Sequence, residues 1–220
     1  FFASFTNTLS ASLLGIVILL YLYDLTESKR IALIGSLLTI FLTNLLPLSK
    51  FSFPHILFTF FVVLGFYSLR RFALVGAVRS FLLFLIACVG IFVSYNVSYY
   101  LPIIPLLLYY LLLVPKTQRV RNFKILFLLV PFFLWKVRFF FAVLQVSFHV
   151  PPKVLMEGVW GFLFSPGKSM FLYSPLLVVP ILFWHKLEKK NIPEIISYTT
   201  LGALYIFYIG ASWIPSAGGG

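Results

Sequence analysis

Charged residues are scarce in this sequence, and acidic residues are the scarcest. Asp, Glu, Lys and Arg make up 10% of the 220 residues, with 5 acidic against 17 basic side chains. An ordinary soluble domain carries about 25% charged residues. Here 61% of the residues are hydrophobic and the mean hydropathy is +1.06. The composition therefore excludes an ordinary soluble domain and predicts a polytopic membrane protein.

Cysteine is nearly absent, and so are the motifs of soluble nucleotide-binding proteins. The single Cys88 lies in an apolar run, which excludes a disulfide within the chain and a cysteine-based metal site. A P-loop is excluded because five residues, where the motif has four, separate Gly161 from Gly167-Lys168. The net charge of +12 does not indicate nucleic-acid binding, because the basic residues form short clusters between apolar runs.

Eight apolar runs follow one another along the chain, and most approach the ~20 residues that cross a ~30 Å hydrocarbon core. They cover residues 3–23, 31–47, 52–69, 80–98, 99–115, 125–147, 171–185 and 194–214. We therefore predict a single all-α transmembrane domain over residues 1–220, a polytopic helical bundle of about eight spans. Because the sequence starts at Phe1 without an initiator Met and stops at Gly220, we expect it to be an internal piece of a longer protein.

Basic residues cluster in alternate connections between these runs. The clusters are Lys29 and Arg30; Arg70, Arg71 and Arg79; Lys116, Arg119, Arg121 and Lys124; and Lys186, Lys189 and Lys190. The positive-inside rule makes these connections cytoplasmic and places residues 47–54, 96–102 and 149–169 outside. We expect ligand chemistry in the outer connections, which are low in charge and rich in proline and aromatic residues.

Carboxylates are poorly placed for acid–base chemistry on the outer side. Asp24, Glu27, Glu188 and Glu194 fall in predicted cytoplasmic connections, which leaves Glu157 as the one outer carboxylate. A carboxylate pair is therefore absent from the outer face, and no catalytic residue can be assigned. His149 and Glu157 do not make a metal site without a further ligand, so we predict no metal site within this chain.

The stretch from Gly161 to Pro175 places a helix breaker and a cation in an apolar, aromatic run. Pro166 lacks an N–H and Gly167 tolerates left-handed dihedral angles, which predicts a broken outer-face segment around Ser165–Lys168. Non-helical backbone at membrane depth must be buried in protein or face water. With free backbone N–H groups and the Lys168 ammonium, this turn is a candidate anion site.

The same stretch resembles a known family. Gly161–Pro175 is similar to a segment common in bacterial and archaeal multi-spanning proteins of the GT-C glycosyltransferase fold, relatives of dolichyl-phosphate-mannose protein mannosyltransferases. Lys168 stands where those proteins usually carry Arg. The residues Leu48-Ser49-Lys50, together with Trp213 ahead of the terminal glycines, are similar to two further segments of that family.

The resemblance implies transfer of a sugar from a polyprenyl-phosphate carrier to an acceptor, on the extracytoplasmic face of the cell membrane of a bacterium or archaeon. It implies that Lys168, Ser165, Gly167 and Lys50 bind the donor phosphate, and that Tyr173, Ser174, His55 and Trp213 line the cleft. The implied partners are the lipid-linked sugar and membrane lipids, without nucleic acid.

The resemblance also limits what this chain would do alone. The carboxylates on which such enzymes rely would lie in a loop upstream of Phe1, so we expect the chain to be inactive by itself. We expect no cofactor within these residues, while a divalent metal in the full-length enzyme stays open. The alternative is a non-catalytic transporter or assembly subunit for lipid-linked saccharides, which the lack of outer carboxylates favours if the chain is complete.

Overall fold

The computed structural model describes residues 2–41, 55–93, 101–114, 151–164 and 191–212, and it is helical throughout these ranges apart from short connections. The helices are α1 (Phe2–Thr26), α2 (Lys29–Phe41), α3 (His55–Val75), α4 (Val78–Val93), α5 (Ile103–Leu113), α6 (Pro152–Phe164) and α7 (Ile192–Ser212). Within the described ranges there is no strand, in agreement with the predicted all-α class. Two helices, α1 over Phe5–Thr26 and α3, are long and apolar enough to cross a membrane, and the bundle of about eight spans stays a prediction.

A tight connection joins α1 and α2 into a hairpin. Glu27 has a φ of 56°, and its N–H donates to the carbonyl of Tyr23 at 2.8 Å, which ends α1 in a left-handed cap. The Ser28 hydroxyl then accepts a hydrogen bond from the N–H of Ile31 at 3.4 Å and so caps the start of α2. Further along the hairpin, the buried Ser36 hydroxyl donates to the carbonyl of Gly15 at 2.9 Å.

A second hairpin joins α3 and α4, and its turn requires a glycine. Gly76 has a φ of 68°, in the left-handed region that other residues enter only with strain. Its N–H donates to the carbonyl of Phe72 at 2.8 Å and closes the end of α3. Below the turn, the rings of Phe72 and Phe81 lie 5.0 Å apart and hold the two helices together.

The main core lies between α3, α4 and α5. Buried side chains recur every three or four residues along one face of α3, which is the spacing of a helix face. They are Phe58, Val62, Phe66, Leu69 and Phe72, and they pack with Phe81, Phe84, Cys88 and Ile91 of α4 and with Leu106, Tyr109 and Tyr110 of α5. The buried Cys88 thiol is free, as the sequence predicts.

Contacts between the helices give their relative directions. The pairs are Tyr21–Tyr67 and Asp24–Arg71 for α1 and α3, Gly65–Leu106 and Phe66–Tyr109 for α3 and α5, and Phe66–Tyr198 and Arg70–Glu194 for α3 and α7. Helices α1, α3 and α5 run parallel, because residue numbers rise together in their contacting pairs. Helix α7 runs antiparallel to α3, because the numbers in their pairs change in opposite directions. The ends of α1, α3 and α5 and the start of α7 therefore lie at one end of the bundle.

Helix α6 differs from the sequence-based expectation. Residues 149–169 were predicted as an outer connection, yet Pro152–Phe164 forms a helix of 13 residues. Its first residue is a proline, which suits the first helical position because the N–H there needs no intrahelical acceptor. The helix packs with α7. The predicted break at Ser165–Lys168 begins directly after Phe164 and lies outside the described residues.

Close packing of α3 against α4 at Gly90 gives a stability prediction. A Cβ atom at Gly90 would lie 2.4 to 2.5 Å from ring atoms of Phe61, so Gly90→Val forces the Phe61 ring or the helices apart. We expect the free energy of unfolding in detergent to fall by about 2 kcal/mol, the usual size of an overpacking effect. Gly202→Val in α7 is the matched control, because a Cβ there meets no atom of the described residues within 4 Å. Equal stability of the two variants would contradict the prediction.

Candidate functional site

Of the residues predicted to bind a donor or line a cleft, the structure describes one. His55 is the first residue of α3 and is exposed, and its carbonyl accepts a hydrogen bond from the Thr59 hydroxyl at 2.8 Å. It lies about 22 Å from the level of Arg70, because fifteen residues of helix rise ~1.5 Å each. The other predicted residues lie outside the described residues: Lys50, Ser165, Gly167, Lys168, Tyr173, Ser174 and Trp213.

The structure contains a polar site that the sequence analysis did not predict, a buried ionic network at the opposite end of α3. Arg70 of α3 and Glu194 of α7 form an ion pair in which the side chains are 7% and 5% exposed. The Tyr109 hydroxyl of α5 donates to the same Glu194 carboxylate oxygen at 2.7 Å. Arg70 Nη2 also donates to the backbone carbonyl of Asp24 in α1 at 3.3 Å. One ion pair thus connects four helices.

Local sequence explains why these side chains reach the network. Glu194 lies in the first turn of α7, where a negative charge interacts favourably with the positive end of the helix dipole. Arg70 lies in the last part of α3, on the face that also carries Phe66 into the core. Tyr109 is fully buried on α5, and a tyrosine is well suited to such a place because its ring packs while its hydroxyl finds a partner.

Aromatic rings enclose the network on the side that faces the middle of the bundle. The ring centroid of Tyr198 lies 4.6 Å from that of Phe66 and 6.2 Å from that of Tyr21, and Tyr21 stacks edge-on against Tyr67 at 6.4 Å. Phe66 also lies 5.3 Å from Tyr109. These rings exclude water from the charges. Exclusion of water strengthens the Arg70–Glu194 attraction, but it also raises the free-energy cost of burying either charge without its partner.

A second ion pair lies beside the network, nearer to solvent. Arg71 Nε is 3.0 Å from Asp24 Oδ2 and donates to the Tyr67 hydroxyl at 3.4 Å. The Arg71 side chain is 43% exposed and the Asp24 side chain is 9% exposed, so this pair is only partly screened by solvent. The adjacent residues Arg70 and Arg71 thus occupy a buried and an exposed environment.

The network is not a free acid–base or metal site. Both carboxylates in it, Asp24 and Glu194, are paired with arginines. Within the described part of the chain, no three His, Cys, Asp or Glu side chains lie close enough to hold a metal ion. Three further polar atoms of the site are buried and have no hydrogen-bond partner among the described residues: Arg70 Nε, Glu194 Oε2 and Ser197 Oγ. The site therefore has hydrogen-bonding groups that its own ion pair does not use.

Sequence analysis placed Asp24, Arg70, Arg71 and Glu194 in connections, but they lie in helices α1, α3 and α7. The physical reason is that each charge has a partner on a neighbouring helix, so the helix can continue past it. A signal was available in the spacing: Tyr21 and Asp24, Tyr67 and Arg70, and Glu194 and Ser197 are each three residues apart and so share a helix face. This spacing predicts polar faces on the helices.

The grouping of these charges agrees with one part of the sequence analysis. Asp24, Arg70, Arg71 and Glu194 were all predicted on the same side of a membrane, and the structure brings all four together at one end of the bundle. Comparison with protein-family models, with curated proteins and with solved structures gave no match for the chain.

Proposed function

We propose that this chain is part of an integral membrane glycosyltransferase that moves a sugar from a polyprenyl-phosphate donor to an acceptor on the outer face of a bacterial or archaeal cell membrane. The observation that carries the proposal is the segment Gly161–Pro175, with its Ser165–Lys168 turn and its similarity to proteins of the GT-C fold. The described part of helix α6 reaches Phe164, the residue before the predicted turn.

Exposed apolar faces support the membrane location. On α1 the exposed side chains Phe5, Leu9, Leu13, Ile16 and Leu20 recur every three or four residues and form a continuous apolar stripe. Helix α2 likewise exposes Leu33, Leu37 and Phe41. Stripes of this length on a free surface are unfavourable in water and suit contact with lipid chains. The 22-residue segment Phe5–Thr26 of α1 extends ~33 Å, enough to cross a ~30 Å core.

Sugar transfer from such a donor needs a cation at the phosphate. The bond between the anomeric carbon and the phosphate oxygen breaks as the acceptor oxygen bonds to that carbon. The acceptor hydroxyl gives its proton to a general base, which is not assigned within this chain, and negative charge develops on the departing phosphate. Lys168 and Lys50, with the backbone N–H groups of the Ser165–Gly167 turn, would stabilise this charge. Tyr173, Ser174, His55 and Trp213 would contact the donor in the cleft.

A non-catalytic role in transport or assembly of lipid-linked saccharides is the second candidate. What favours it is the lack of carboxylates on the predicted outer side, because Asp24 and Glu194 are predicted to be cytoplasmic and are in addition paired with Arg71 and Arg70. Glu157, on the exposed side of α6, then remains the carboxylate on the predicted outer side.

The two candidates are separated by an assay of the full-length protein in sealed proteoliposomes. A supplied polyprenyl-phosphate sugar should be consumed, and sugar-bearing acceptor should form with equal amounts of free polyprenyl phosphate. Movement of intact lipid-linked sugar between leaflets without cleavage would instead establish transport. Neither cleavage nor movement across a range of donors would contradict both candidates.

Membrane orientation gives a separate prediction. In a Cys88→Ala background, a cysteine introduced at the exposed Arg79 should react with a membrane-impermeant maleimide only after the vesicles are opened. A cysteine at the exposed Lys153 should react in intact vesicles, since α6 is predicted to lie outside. Labelling of both positions from the same side would overturn the predicted orientation.

A further inference from the structure

The turn between α3 and α4 combines an exposed apolar tip with flanking arginines. Leu74, Val75 and Val78 are 60%, 63% and 71% exposed, and Gly76 and Ala77 connect them. Arg71 precedes this tip and the exposed Arg79 follows it. A contiguous apolar tip on a water-facing turn is unfavourable, so its composition points to a surface that contacts something apolar.

Arg71 is held in an orientation that leaves it accessible. Both of its described contacts, to Asp24 Oδ2 at 3.0 Å and to the Tyr67 hydroxyl at 3.4 Å, are made by Nε. The side chain is nevertheless 43% exposed. A guanidinium fixed in this way loses less conformational entropy when it binds an oxyanion than a freely rotating side chain would.

Further cations lie at the same end of the bundle. Lys29 and Arg30 begin α2 and are exposed, and α2 begins where α1 ends, at the level of Asp24. We refer to Lys29, Arg30, Arg71 and Arg79 as the basic rim. Among the described residues, the acidic groups that face it are Asp24, which is paired with Arg71, and Glu27 in the α1–α2 connection; the Arg70–Glu194 pair is internally neutral. The rim is therefore net positive.

We propose that the basic rim binds the headgroup phosphate of an anionic phospholipid, while Leu74–Val78 lies at the boundary between headgroups and acyl chains. A phospholipid supplies both the negative group and the apolar surface that this end of the bundle presents. Nucleic acid or an acidic peptide would match the cations but would leave the apolar tip in water. Each basic residue near a membrane surface contributes to the free energy of binding anionic lipid, and to a first approximation these contributions add.

The inference rests on the membrane location proposed above and is independent of sugar transfer. It is tested with the full-length protein purified in detergent, supplied with equal amounts of phosphatidylglycerol and phosphatidylcholine, and analysed by native mass spectrometry for the lipids that stay bound. The wild-type protein should retain phosphatidylglycerol in preference. Arg79→Gln should reduce this preference about fivefold, and Arg71→Gln with Arg79→Gln on the order of twentyfold.

Lys153→Gln is the control, because it removes one exposed cation from α6, outside the rim. Arg79→Lys should keep most of the preference, since it keeps the charge. If the double variant does not fold, the lipid preference of the single variant Arg79→Gln tests the proposal. Unchanged phosphatidylglycerol preference in Arg79→Gln, or no preference in the wild-type protein, would overturn the proposal. Retention of neither lipid would instead contradict the membrane location itself, and loss of transferase activity alone would leave the proposal intact.

Discussion

Glu194→Gln is expected to lower the free energy of unfolding by about 3–5 kcal/mol, the largest effect of any substitution considered for this protein. The substitution keeps the size of the side chain and an oxygen for the Tyr109 hydroxyl, but it removes the charge opposite Arg70. Arg70 is then a buried cation whose remaining described acceptor is the carbonyl of Asp24 at 3.3 Å. Equilibrium unfolding in mixed detergent micelles measures the change.

A double-mutant cycle separates this effect from general damage. Adding Arg70→Met removes the uncompensated cation, so the double variant should regain most of the stability that Glu194→Gln loses. Arg79→Met is the control: it removes an exposed arginine from the start of α4, outside the network, and it should change stability by about 1 kcal/mol or less. If the effects of Arg70→Met and Glu194→Gln simply add, the two residues do not form the pair described here.

Lys168→Ala is expected to weaken use of the lipid-linked donor in the full-length protein by about ten- to a hundredfold. A charge-assisted hydrogen bond to the donor phosphate contributes ~1.5–3 kcal/mol, which corresponds to that range. Lys168→Arg should largely preserve activity, because arginine keeps the charge and can grip a phosphate through two N–H groups. Donor titrations of the transfer rate, with donor binding measured separately, test the prediction.

Lys153→Ala is the control for Lys168→Ala. It removes a lysine from the same predicted outer region, at an exposed position of α6 that lies outside the Gly161–Pro175 motif. If both variants fold, insert in the membrane and keep the same donor affinity and turnover, Lys168 has no role at the phosphate and the turn is structural. A loss in Lys168→Ala that Lys168→Arg does not restore would indicate a packing role in place of a charge role.

The sequence by itself determined the all-α class seen in the described residues and the position of two long helices, α1 and α3. The apolar run at residues 3–23 lies within α1, and residues 55–69 of the run at 52–69 lie within α3, since about 20 apolar residues satisfy their backbone hydrogen bonds most easily as a helix. The clustering of cations in alternate connections also placed Asp24, Arg70 and Glu194 on the same predicted side of the membrane. This placement follows from the alternating direction of successive spans alone. For the predicted donor site, the structure describes only His55, so that site remains a prediction.

Tertiary structure decided which charges meet and how deeply they are buried. Arg70 and Glu194 are 124 positions apart, and helical spacing tells which face a residue occupies but not which helix will cover that face. Arg70 and Arg71 are neighbours in sequence, but their side chains point in directions that differ by about 100° around the helix. Only the packing of the neighbouring helices decides that Arg70 is buried and Arg71 is partly exposed. The partner is selected by packing of whole helices, with Phe66, Tyr109 and Tyr198 bringing α3, α5 and α7 close enough for one carboxylate to serve both an arginine and a tyrosine.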